Sequence, residues 1–143
     1  MPATVVDANV LIDYKDTSSD ARHERAERIV YAIDSGDLPT ARVTNYVLLE
    51  SLNWIHERRR HDIAVDLKNR LADSAGFEVV HCAQKDFRRA AELFETHDRL
   101  SFGDATVAAY MRRTGIEHLY SFDDDFDGIE GITRLETPDD PFS

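Results

Sequence analysis

Thr4-Val5-Val6-Asp7-Ala8-Asn9 opens the chain with a short β-branched run closed by an acid. Such a run, ended by polar residues, reads as a strand buried on both faces, because β-branched side chains fit extended backbone and nothing in it asks for water. Runs of the same kind recur at residues 41–43, 77–80 and 118–120, with 132–135 as a candidate fifth. Between them the apolar residues return every three or four positions, which predicts helices over 21–35, 45–60, 62–75, 85–96 and 102–114. The first of these puts Ala26, Ile29, Val30 and Ile33 on one face and stops at Gly36; the last stops before Gly115. Strands alternating with helices predict an α/β fold, a central parallel sheet flanked by helices on both faces.

A chain of 143 residues suits one domain with a real hydrophobic core. The domain is expected to span residues 1–136, followed by a loose tail over 137–143 that contains Pro138 and Pro141. No apolar run approaches the roughly 20 residues that cross a bilayer, and the start lacks a basic segment followed by an apolar one. A soluble, cytoplasmic protein without a membrane partner is therefore expected. Cys82 is the single cysteine, which excludes a disulfide framework and a cysteine-based zinc site; its apolar neighbours make it a core filler.

The net charge of −11 and pI near 4.8 weigh against a broad basic surface for nucleic acid. Lys15, Lys68 and Lys85 are the only lysines, however, and Asp outnumbers Glu. That balance resembles proteins of halophilic, salt-rich cytosols, where surface acidity serves solubility and says little about the ligand.

Ligands of parallel sheets bind outside the carboxyl ends of the strands, so acids at those ends carry most weight. Asp7 follows the first strand directly, and Asp123 follows Leu119-Tyr120-Ser121-Phe122 in the same way. Each also has a purely local explanation, a helix N-cap for Asp7 and a solvated turn for Asp123-Asp124-Asp125. Glu50 lies inside a helix beside apolar stripes, so it either pairs with an arginine of the 58–60 run or stands at the rim of a pocket. Asp104 fits the capping pattern Ser101-Phe102-Gly103-Asp104. All four can also converge on one pocket, where hard oxygen ligands favour Mg²⁺ or Mn²⁺ over zinc. The six histidines are scattered without zinc-ligand spacing.

Four segments together carry a family likeness: residues 5–13, residues 44–50, Ser101-Phe102-Gly103-Asp104-Ala105, and Ser121-Phe122-Asp123-Asp124-Asp125-Phe126. In the order of their acids, and in the Asn two positions after the first Asp, they resemble the PIN domain over essentially the whole chain. Size and build are similar to the VapC-type toxins of toxin–antitoxin pairs. The resemblance implies a metal-dependent endoribonuclease that a small antitoxin inhibits, expected as a homodimer. It further implies Asp7 and Asp104 as main metal ligands, Glu50 and Asp123 as the rest of the acidic cluster, and Asn9 and Ser121 as supporting groups behind them. Asp125 is a further candidate, for a second ion. A catalytically inactive PIN-like binding module is the alternative, against which the presence of all four acids counts.

Two other α/β readings fail on the residues. A haloacid-dehalogenase-type phosphatase needs Asp-x-Asp after the first strand, where this chain has Asp7-Ala8-Asn9, and a receiver domain needs a late lysine, where none follows Lys85. The basic run Arg58-Arg59-Arg60-His61 fits a solvated helix end better than a patch that binds RNA phosphates or an acidic partner segment.

Overall fold

The structure, a computed structural model, describes residues 2–143. Strand β1 (Ala3–Val6) leads into helices α1 (Ala8–Lys15) and α2 (Asp20–Ser35), then β2 (Thr40–Thr44), α3 (Asn45–Arg58), α4 (His61–Asp73) and β3 (Phe77–Val80). Helices α5 (Gln84–Thr96) and α6 (Phe102–Thr114), β4 (His118–Tyr120), a 3₁₀ turn (Asp124–Phe126) and β5 (Thr133–Leu135) complete the chain.

The five strands form one sheet in the order β3-β2-β1-β4-β5, and every pairing is parallel. Val5 and Val6 of β1, Ala41 and Val43 of β2, and Leu119 and Tyr120 of β4 are fully buried, as strands covered on both faces require. The chain winds outward from β1 to β3 and then returns to β4 on the other side of β1. With right-handed crossovers, this reversal puts α5 and α6 on the face opposite α1 to α4. The larger apolar core gathers the sheet with α1 to α4 and with Val107, Tyr110 and Met111 of α6, and a smaller one joins Ala90 and Leu93 of α5 to Ala105, Ala108 and Ala109 of α6. The reversal also opens a crevice at the carboxyl ends of β1 and β4, the place where this sheet type takes its ligands.

Helix α1 has no counterpart among the helices predicted from the sequence. Its eight residues bury Ala8, Val10, Leu11, Asp13 and Tyr14, so it shows no polar face from which a helical period can be read. Helix α3 ends at Arg58, two residues before the predicted limit, and α4 begins at His61. The turn after α4 is tight: a Cβ on Gly76 would sit 2.0 Å from the carbonyl oxygen of Ile33, so only glycine lets this turn approach α2. Residues 137–143 carry no helix or strand. They touch the sheet where the Tyr120 hydroxyl donates to the Asp139 carbonyl at 2.7 Å and Phe142 meets the His118 ring edge-on at 5.1 Å. Cys82 is half-buried against the core, and burial pushes its thiol up to about 11. No helix among the described residues is long and apolar enough to cross a membrane.

Candidate active site

Asp7 ends β1 at the crevice, where its backbone N–H still donates to the Tyr120 carbonyl of β4 at 2.9 Å. Its carboxylate is only 4% exposed as a residue and is held by neutral donors alone. Oδ1 accepts from the Ala8 N–H at 2.8 Å, which caps α1, and Oδ2 accepts from the Ser121 hydroxyl at 2.8 Å and the Asn9 amide at 3.2 Å. The Ser121 oxygen in turn accepts from Asn9 Nδ2 at 3.2 Å and from the Asp123 N–H at 3.0 Å, while Asn9 Oδ1 accepts from the Phe122 N–H at 3.1 Å. Asn9 and Ser121 thus tie the end of β1 to the loop after β4.

The other acids arrive from three directions. Thr44 caps α3 by accepting from the Val47 N–H at 3.2 Å, and that helix carries Glu50 to the crevice. The Glu50 side chain passes close to Gly103, where an added Cβ would lie 3.7 Å from Oε1. Ser101 caps α6, its hydroxyl oxygen accepting from the Asp104 N–H at 3.1 Å, so the first turn of α6 presents Asp104 to the same space. Asp123 precedes the 3₁₀ turn and accepts from the Asp125 N–H at 2.9 Å. The capping and turn roles of Asp7, Ser101 and Asp123 are all present, and they aim the acids instead of competing with the site.

Asp7, Glu50, Asp104, Asp123 and Asp125 line one cavity of about 310 Å³, with Asn9 and Trp54 beside them. Oxygens of Asp104, Asp123 and Asp125 lie within 4.8 Å of one another. Asp7, its oxygens occupied by the hydrogen bonds above, and Glu50 from α3 line the same cavity. None of the 58–60 arginines reaches Glu50: Arg58 stacks on Trp54, Arg59 pairs with Asp16 and Arg60 with Asp62. Glu50 therefore takes the rim position, the other of the two placements its sequence context allowed.

The electrostatics follow from burial first and from this crowding second. Burial pushes the Asp7 carboxyl up to about 6, and the negative charges of Glu50 and Asp123 add to it against the lowering by Ser121 and Ala8. Asp104 rises to about 7, first through burial and then through Asp7 and Asp123. Glu50 is raised by the same two causes, burial and Asp123. Three carboxyls displaced in one direction, each partly by another, mark a site with more negative charge than its own side chains compensate. An all-oxygen donor set with uncompensated charge fits Mg²⁺ or Mn²⁺, which take carboxylates and keep waters for a substrate phosphate.

Sequence reasoning did not single out Arg99, which lines the cavity from the turn before α6. A basic residue five positions ahead of Asp104 was a signal within reach.

The PIN domain family model matches residues 4–132. The chain belongs to the PIN-domain family. This PIN domain is 33% identical over 111 residues to the 23S rRNA-specific endonuclease VapC20 of Mycobacterium tuberculosis, covering 76% of the chain and 81% of the relative. The crystal structure of M. tuberculosis VapC20, described as a Sarcin-Ricin loop cleaving toxin, matches with a TM-score of 0.75 at 29% identity, over 89% of this chain and 95% of that one. A toxin–antitoxin complex from Klebsiella pneumoniae shares the fold at a TM-score of 0.64 and 20% identity, over 96% and 98% of the two chains.

Proposed function

We propose that this PIN domain is a divalent-metal-dependent endoribonuclease, the toxin of a toxin–antitoxin pair, and that ribosomal RNA is its substrate. The observation that carries the reading is the meeting of five carboxylates in one cavity at the crevice between β1 and β4. Likeness to a 23S rRNA-specific endonuclease over most of both chains supports the choice of substrate. The complexes among the structural relatives support a small antitoxin as partner.

In the proposed site Asp104, Asp123 and Asp125 would hold the cation, with Glu50 and Asp7 lining the same cavity. A bound Mg²⁺ or Mn²⁺ supplies positive charge for the phosphate oxygens and makes a nearby water more acidic. The chain's own task is positioning. Ser121 and Asn9 fix the Asp7 carboxylate, Ser101 fixes the start of α6 under Asp104, and Trp54 and Ile12 give the cavity apolar walls. Water attacks phosphorus, the bond to the leaving ribose oxygen breaks, and the proton released by the water ends on that oxygen. No covalent enzyme intermediate is needed.

A homodimer belongs to the same proposal. Phe87 and Phe94, each 47% exposed on α5, are apolar side chains that a second copy would cover. Sedimentation at the salt concentration of the activity assay checks it, with a dimer expected. For the activity, ribosomal RNA incubated in high salt should be cut at discrete positions when Mg²⁺ or Mn²⁺ is present and left intact in a chelator. Cutting that ignores the chelator would overturn the reading.

A further inference from the structure

Arg99 is the one lysine or arginine lining the acidic cavity among the described residues. It lies in the turn between α5 and α6, and its side chain is 59% exposed. Its Nη2 lies 2.9 Å from Asp125 Oδ1 and 3.2 Å from Asp124 Oδ1, and its Nε donates to Asp125 Oδ1 at 3.1 Å. Asp125 also belongs to the trio of carboxylates whose oxygens lie within 4.8 Å of one another. The Asp125 carboxylate is therefore shared between the Arg99 guanidinium and the acidic trio. Asp7, by contrast, is held only by neutral donors, and the Ser101 hydroxyl is the neutral group beside Asp104.

We propose that Arg99 is an exchangeable counterion of the cavity: it holds Asp125 in the cation-free protein, yields it when a divalent cation joins Asp104, Asp123 and Asp125, and then binds the RNA phosphate. The proposal rests on the nuclease reading above. An exposed ion pair is weak, so a dication held by several carboxylates outcompetes it. The freed guanidinium remains at the rim, tethered near Asp124. Its fork of N–H groups matches a phosphate's oxygens, and a phosphate approaching five carboxylates in a chain of net charge −11 needs such a group.

Three readouts on the full chain test this. Mn²⁺ titration followed by electron paramagnetic resonance should show Arg99→Gln binding the ion about two- to fivefold more tightly than wild type, the gain expected when an exposed competing pair is removed. Cleavage by Arg99→Gln at saturating metal should be slower by roughly tenfold or more, the loss of a charge-assisted contact to phosphate. In ¹⁵N-labelled wild type, the Arg99 Nε–H resonance should move with Mg²⁺ occupancy. Unchanged or weaker Mn²⁺ binding by Arg99→Gln, wild-type cleavage rates, or an Nε–H resonance that stays put while Mg²⁺ saturates would each overturn the proposal. If the wild type binds no Mn²⁺ at all, the nuclease reading falls and takes this proposal with it. If it binds Mn²⁺ and cuts RNA while the Arg99 resonance stays still, only the counterion role is lost.

Discussion

Ser121 and Asp7 stand 114 positions apart in the sequence and meet at 2.8 Å, the hydroxyl donating to Oδ2 of the buried carboxylate. The same hydroxyl oxygen accepts from Asn9 and from the Asp123 backbone, so a single side chain joins β1, α1 and the loop after β4. Ser121→Ala should cost about 1–3 kcal/mol, because it takes a donor from the buried Asp7 carboxylate and an acceptor from Asn9 and the Asp123 N–H. It should also push the Asp7 carboxyl above its value of about 6, since Ser121 is the largest influence lowering it. A ¹³C carboxyl titration by NMR checks this; an Asp7 titration that moves down would show that the hydroxyl does not stabilise the charged form.

The pH dependence of stability follows from the same carboxyl. Asp7 titrates near 3.8 when unfolded and near 6 when folded, so the folded state favours the protonated form. Its contribution is full below pH 3.8, is lost as the pH rises to about 6, and stays lost above that. The loss is on the order of 3 kcal/mol by the usual conversion of a pKa shift, and the site lies in a largely buried position. The wild type should therefore lose stability relative to Asp7→Asn between pH 4 and 6.5 in metal-free buffer, measured by denaturant melts at each pH. A difference between the two proteins that does not change with pH would contradict the assigned burial of this charge.

Away from the cavity, Asp86 is 1% exposed and clamps the second helical face. It accepts from Arg113 Nε at 2.6 Å and from the Ala83 N–H at 2.7 Å, linking α6 to the start of α5. Asp86→Ala should cost about 2–3 kcal/mol, less than the roughly 3–5 of a fully buried pair because Arg113 can reach water. RNA cleavage per folded molecule should be unaffected. A variant as stable as wild type would show that the ion pair contributes nothing net.

Most of the fold was legible because its signals are local. β-branched runs marked the strands, Gly36 and Gly115 marked helix ends, and both glycines adopt the left-handed conformation that such ends use. Helix α1 was not legible, since Leu11 and Val10 are buried alongside Asp13 and Tyr14 and erase the period. Asp7, Asp104 and Asp123 could be picked out one by one from strand ends and a capping pattern, and Glu50 as an acid beside the apolar stripes of a helix. Asp125 entered only through the family resemblance, as a candidate for a second ion, because its place in the trio depends on how the 3₁₀ turn folds back towards α6. Arg99, five positions ahead of Asp104, was within reach of the sequence, but its pairing with Asp125 was not: the two lie 26 positions apart, and no helical or strand spacing connects them.

The most direct test of the central claim, that these acids form one divalent-cation site, is thermal unfolding at constant high salt with and without Mn²⁺. Without the ion, Asp104→Asn and Asp123→Asn should melt above wild type, because each removes a charge that its neighbours oppose. With Mn²⁺ at about a hundred times its dissociation constant, wild type should gain roughly 2.7 kcal/mol by linkage and the two variants far less. Asp37→Asn, outside the cavity, should behave as wild type in both conditions. Identical responses of all four proteins to Mn²⁺ would contradict the account.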